Sequence, residues 1–130
     1  MSIKRLSKEL QEIQKEPPVN CSAGPINDDL YNWEATIIGP KDTPYENGIL
    51  YFIIEFPHNY PYSPPKVGYL SHSRYRIHPN LYVGRSQDNF LGKVCLSIIN
   101  TWAGPKWTTI MHVGSVMVSI QSLLFHCFSY

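Results

Sequence analysis

The sequence predicts an α+β domain, and three observations predict it. Apolar residues recur at helical spacing near each end of the 130-residue chain, strand-like runs fill the middle, and Pro- and Gly-rich connections rather than helices separate those runs. A chain of this length makes a single domain, residues 1–130, and buries about two thirds of its unfolded surface, enough for one core.

Residues 2–16 form an amphipathic helix, with Ile3, Leu6, Leu10 and Ile13 on one stripe and Lys4, Arg5, Lys8, Glu9 and Glu12 around it. Ser2 is placed to cap it and Pro17-Pro18 to stop it. From Tyr31 to Ile38 polar and apolar residues alternate, and Ile49 to Phe56 is a β-branched and aromatic run, so these two read as neighbouring antiparallel strands joined through residues 39–48. Residues 57–65 contain four prolines, which cannot serve a hydrogen-bonded ladder, and predict a rigid loop before a short strand from Lys66 to Leu70. Residues 109–124 carry Ile110, Val113, Met117, Ile120 and Leu124 at helical spacing, widened by Val116 and Leu123, as expected of a core helix.

Charged residues are 16% of the chain and the net charge is +1, with no polybasic run, so nucleic acid is not expected as the principal partner. Cys21, Cys95 and Cys127 are odd in number and irregularly spaced, which disfavours a disulfide framework and a Cys-x-x-Cys metal site. No leader pattern opens the chain, and an intracellular place, cytoplasm or nucleus, is expected. From Trp107 to Tyr130 there is no Asp, Glu, Lys or Arg, but Thr108, Thr109, His112, Ser115, Ser119, Gln121 and Ser122 are too many polar groups for a span of about 20 apolar residues.

Cys95 is the candidate for chemistry. It follows the triplet His78-Pro79-Asn80 by fifteen residues. A thiol of ordinary pKa, about 8.5, is a few per cent thiolate near pH 7, which suits it to carry an acyl group without a dedicated base. An asparagine amide is neutral and donates two hydrogen bonds, so Asn80 suits an oxyanion or the bracing of a loop. The plainer alternative is that Cys95 is a buried core thiol, the usual place of a free cysteine.

The segments Ile3–Leu10, Pro17-Pro18, Cys21–Pro25, Trp33–Ile37, Gly39-Pro40, Pro44-Tyr45, Phe56-Pro57, Tyr60–Val67, His78–Asn80, Gly92–Leu96 and Ser119–Leu124 together resemble the ubiquitin-conjugating enzymes, the E2 class, over about residues 2 to 124. The resemblance implies an N-terminal helix, a four-stranded antiparallel meander, an active-site loop and a packed central helix. It implies that Cys95 accepts ubiquitin as a thioester from the activating enzyme, E1, and that Asn80 supports the loop or the oxyanion while a substrate lysine attacks with the help of a RING-type or related ligase, E3. It implies further that Lys4, Arg5 and Lys8 face E1, that Tyr62, Trp102 and Pro105 face E3, and that Ser22 lies on a ubiquitin-binding back of the sheet. No metal or other cofactor is implied, ATP being consumed by E1.

The sequence departs from the compact members of that family at three places. Leu81 to Val94 is a longer connection than theirs and resembles the larger E2s, with the extra residues either shaping access to Cys95 or forming a surface insertion. Ser97 stands where many carry an acid, and the acidic gate and two helices usual after residue 124 are not in evidence. The expected consequence is slow lysine transfer, since a lysine of pKa about 10.4 is some 0.04% neutral at pH 7 and gains from groups that deprotonate it. The departures also admit a non-catalytic binding module that competes for E1, E3 or ubiquitin.

Overall fold

The computed structural model describes residues 2–71, 75–84 and 91–126. Helix α1 (Ser2–Lys15) leads into five strands, β1 (Cys21–Ile26), β2 (Asp29–Ile38), β3 (Ile49–Glu55), β4 (Lys66–Leu70) and β5 (Leu91–Lys93), and then into helix α2 (Val113–Phe125). The strands lie in sequence order as an antiparallel meander. Four strands were expected; the meander gains a fifth because three residues, Leu91 to Lys93, pair with Gly68 to Leu70, too short a run to show a period in the sequence.

The alternation read from the sequence is what sorts the two faces of the sheet. Trp33, Ala35 and Ile37 of β2 stand opposite Ile54, Phe52 and Leu50 of β3, and all six are buried. They share one core with Leu6 and Ile13 of α1 and with Val116, Met117, Ile120 and Leu124 of α2. Pro25 is accommodated because β1 is an edge strand and its register breaks at Pro25/Ile26.

Two helix expectations are corrected. Helix α2 starts at Val113 rather than at residue 109, and Ile110, expected on its apolar stripe, is 86% exposed. The reason lies in α1: Arg5 donates through Nη1 to Thr109 O at 2.8 Å and through Nη2 to Met111 O, so these carbonyls face a guanidinium instead of a helical ladder. His112 is extended and donates its N–H to Ser115 Oγ at 3.2 Å, which opens the helix one residue later. Ser2, in turn, does not cap α1; its hydroxyl turns to the carbonyls of His58 and of Tyr60, the latter at 3.0 Å.

Glu9, expected on the polar side of α1, is 3% exposed. Its carboxylate accepts Arg5 Nε at 2.7 Å, the Tyr60 hydroxyl at 2.6 Å to one oxygen and 2.9 Å to the other, and the Val113 N–H at 2.8 Å. Burial, then the adjacent Glu9 charge, hold the Tyr60 phenol well above the ordinary tyrosine range. The carboxylate also sits at the N-terminus of α2, where the helix dipole favours a negative charge.

A second buried polar contact joins the other end of α2 to the His78-Pro79-Asn80 turn. His78 Nδ1 accepts the Asn80 N–H at 3.0 Å, which leaves Nε2 to carry the proton and donate to Leu123 O at 2.9 Å. Burial, aided by the Arg76 charge, holds the His78 pKa below its ordinary value of 6.5.

Replacing Glu9 by Ala leaves the Tyr60 hydroxyl and the Val113 N–H without their acceptor, and an expected loss of about 3 kcal/mol or more follows from two stranded buried donors. The urea midpoint measures it, with Glu12→Ala, an exposed carboxylate, expected within about 0.5 kcal/mol of the parent. For His78, the unfolded chain takes up the proton first as pH falls, because the folded pKa is the lower of the two. The stability that depends on its neutral ring is therefore complete above about pH 6.5 and is lost as pH drops below it. Thermal unfolding between pH 7.5 and 5 is expected to show that decline, and a His78→Gln chain a shallower one; equal slopes would refute the assignment.

Candidate active site

Fourteen residues separate Asn80 from Cys95, and backbone pairing closes the two ends of that stretch on each other as the base of a hoop. Leu81 bridges both His78 and Val94, Tyr82 N–H donates to Lys93 O at 2.9 Å, and Cys95 N–H donates to Asn80 O at 2.9 Å. Leu81 and Val94 are fully buried and anchor the two sides. Gly92 permits the approach: a Cβ there would lie 1.7 Å from Tyr82 O. The residues expected to shape access to Cys95 include 85–90, which lie outside the described residues.

Asn80 and Cys95 are thus brought together. The Asn80 amide donates through Nδ2 to Cys95 O at 2.9 Å, while its own carbonyl takes the Cys95 N–H. The Cys95 residue is 2% exposed and lies between Val94 and Leu96, both part of the hydrophobic core that also holds Cys21. Cys21 is the ordinary buried thiol of the pair, its pKa pushed up by burial to about 11. Both thiols are free.

Beyond Cys95 the chain makes a 3-10 turn at Ser97–Ile99 and reverses at Asn100, whose φ of 63° is left-handed. Asn100 Oδ1 accepts the Trp107 N–H at 3.1 Å, and Trp107 Nε1 donates to Pro61 O at 2.7 Å. Trp107 therefore stitches the segment after Cys95 to the Pro-rich loop, whose Tyr60-Pro61 bond is cis. Tyr62 on that loop is 68% exposed and Trp102 is 53% exposed, with Pro105 also at the surface, so these three expected contact residues occupy two joined loops.

The three cations of α1 differ. Lys4 and Lys8 are exposed, whereas Arg5 is engaged with Glu9, Thr109, Met111 and the Tyr60 ring 5.4 Å away. Ser22 is exposed on β1 and pairs its hydroxyl with that of Thr36 at 2.6 Å. Closer to the hoop, the Arg76 guanidinium lies 3.8 Å over the Tyr82 ring, and Tyr45 Oη donates to Ile77 O at 2.6 Å.

Trp107 and Thr101, whose hydroxyl bonds to the backbone on both sides of Cys95, were not singled out in the sequence; no period or motif marks them. Among the described residues, no group of three His, Cys, Asp or Glu side chains is placed to hold a metal ion, and no helix is long and apolar enough to cross a membrane.

The sequence matches the family model described as ubiquitin-conjugating enzyme over residues 5–129. Among solved structures, human ubiquitin-conjugating enzyme E2 G1 is similar at 38% identity and a TM-score of 0.75, over 94% of this chain and 93% of that one. A family match over nearly the whole length, on an antiparallel meander with its two helices and a Cys95–Asn80 hoop, means that the chain belongs to the ubiquitin-conjugating enzyme family.

Proposed function

We propose that the chain accepts ubiquitin from E1 as a thioester on Cys95 and transfers it to a lysine of a protein substrate with a RING-type or related E3. The observation that supports it most is the double tie between Asn80 and Cys95, which holds the thiol-bearing residue at a fixed point of the hoop. In the first step the Cys95 thiolate attacks the carbonyl carbon of the E1–ubiquitin thioester; the new C–S bond forms as the E1 thiolate leaves. In the second a neutral lysine amine attacks the Cys95 thioester, the Cys95 thiolate leaves, and the amine gives up its proton to solvent as the amide forms. Neither step calls for a metal or nucleotide on this chain, because E1 consumes the ATP. The setting is intracellular, in cytoplasm or nucleus.

Asn80 acts as a brace in this proposal, one N–H of its amide being given to the Cys95 carbonyl and the second left for an oxyanion. Lys4 and Lys8 supply the charged contact to E1, Tyr62, Trp102 and Pro105 the face for E3, and Ser22 a ubiquitin contact on the back of the sheet, all six being exposed. Arg5 contributes to the E1 face by ordering residues 109–111. One observation favours the second reading, a non-catalytic module competing for the same partners: at 2% exposure Cys95 has to be uncovered before it can meet a thioester.

The chain incubated with E1, ATP and ubiquitin is expected to give an adduct on a non-reducing gel that a thiol reductant removes. Cys95→Ala is expected to abolish it and Cys21→Ala to leave it intact; a folded parent chain with no adduct would leave the competitor reading in its place. Asn80→Ala strands the Cys95 carbonyl, so both loading and lysine discharge are expected to fall together with a loss of about 1–3 kcal/mol in stability. Loss of discharge alone, at unchanged stability, would assign Asn80 to the oxyanion instead.

A further inference from the structure

The rigidity of a nucleophile that sits in an irregular segment depends on the two peptide planes that flank its Cα, because they set its φ and ψ and so the origin from which its side chain swings. At Cys95 each plane offers one carbonyl and one N–H. The plane before it carries Val94 O and the Cys95 N–H; the plane after it carries Cys95 O and the Leu96 N–H.

All four groups have partners, and the partners come from two residues. Asn80 takes the inner pair, accepting the Cys95 N–H at 2.9 Å and donating Nδ2 to Cys95 O at 2.9 Å. Thr101 takes the outer pair. Its hydroxyl accepts the Leu96 N–H at 2.9 Å and reaches Val94 O at 2.7 Å. A hydroxyl has one proton to donate, and Leu96 O, at 3.2 Å the farther of its two possible acceptors, is already supplied by the Thr101 N–H at 3.0 Å. The proton therefore goes to Val94 O, and one oxygen bridges the peptide planes on the two sides of the thiol-bearing residue.

We infer that Thr101 is a positioning residue for transfer through Cys95, its hydroxyl fixing from one side the two peptide planes that Asn80 fixes from the other. The inference rests on the thioester reading of Cys95. A structural role confined to the Ser97–Ile99 turn would need only the Thr101 N–H bond to Leu96 O, which any residue makes. The hydroxyl is required only for the planes at Cys95.

The experiment compares Thr101→Val and Thr101→Ser with the parent chain. With E1 as the enzyme and this chain as its substrate, Thr101→Val is expected to lower kcat for thioester formation about tenfold or more while KM stays within about twofold, because misplacement of a reacting atom by a fraction of an ångström is a rate effect and not a docking effect. Thr101→Ser keeps the oxygen and is expected to restore the rate. Parent-like kcat in Thr101→Val, a loss carried wholly by KM, or no rescue by Ser would each overturn the inference. Should the valine variant not fold, hydrogen exchange on the parent chain decides: the Leu96 amide is expected to be protected as strongly as that of Cys95, and exchange of Leu96 at the free-peptide rate would overturn the clamp. If the parent chain forms no adduct, the thioester reading fails by itself, and iodoacetamide alkylation of Cys95 still tests the clamp. A rate changed severalfold in Thr101→Val and restored in Thr101→Ser supports it, while equal rates in all three chains overturn it.

Discussion

The fold depends on a carboxylate in the wrong place for its charge. Glu9 lies inside, between α1, the Pro-rich loop and the start of α2, and every partner it has comes from a different one of these pieces: Arg5, Tyr60 and the Val113 N–H. A buried ion is costly to desolvate and is tolerated only when its oxygens are saturated with good donors, as they are at 2.6 to 2.9 Å. Such a site accepts no slippage between the elements that build it. Apolar contacts hold the helices in the common core; Glu9 ties the Pro-rich loop and the start of α2 to α1.

The thiol site is built on the opposite principle, with backbone groups in place of charges. A few antiparallel contacts between residues 80–82 and 93–95 bring the turn and the cysteine together, and neutral side chains then occupy the peptide groups around Cys95. The surface loops that carry Tyr62 and Trp102 are joined to this arrangement by the two hydrogen bonds of Trp107. The exposed aromatic residues and the thiol-bearing segment thus belong to one hydrogen-bonded unit.

Helix α1 and strands β2 and β3 were legible because their burial follows periods of 3.6 and 2, as Leu6 and Ile13 or Trp33 and Ile37 show. That Asn80 and Cys95 come together was legible from the family the sequence resembles, whereas their spacing alone left Cys95 equally readable as a core thiol. Glu9 was not, since its neighbours in sequence make it one more charge on a polar helix face, and its chief partners lie 51 and 104 residues away. Arg5 misled in the same manner: its hold on Thr109 and Met111 shortened α2 at a place where apolar spacing alone would have continued it. Strand β5 pairs through backbone groups, which carry no signature in residue type, and the Thr101 hydroxyl finds its partners among such groups, so no second side chain marks it in the sequence.

The pinch at Gly92 has a consequence for how the family can vary. Because the chain leaves the hoop at Tyr82 and returns at Gly92 within atomic contact, whatever joins these points starts and finishes at the same spot on the surface. A segment with coincident ends can lengthen or shorten without dragging on its anchors, at an entropic cost of only about 0.6 kcal/mol per doubling of length. Insertions and deletions between Tyr82 and Gly92 are then nearly free for the scaffold, so the length of this connection is set by something other than stability.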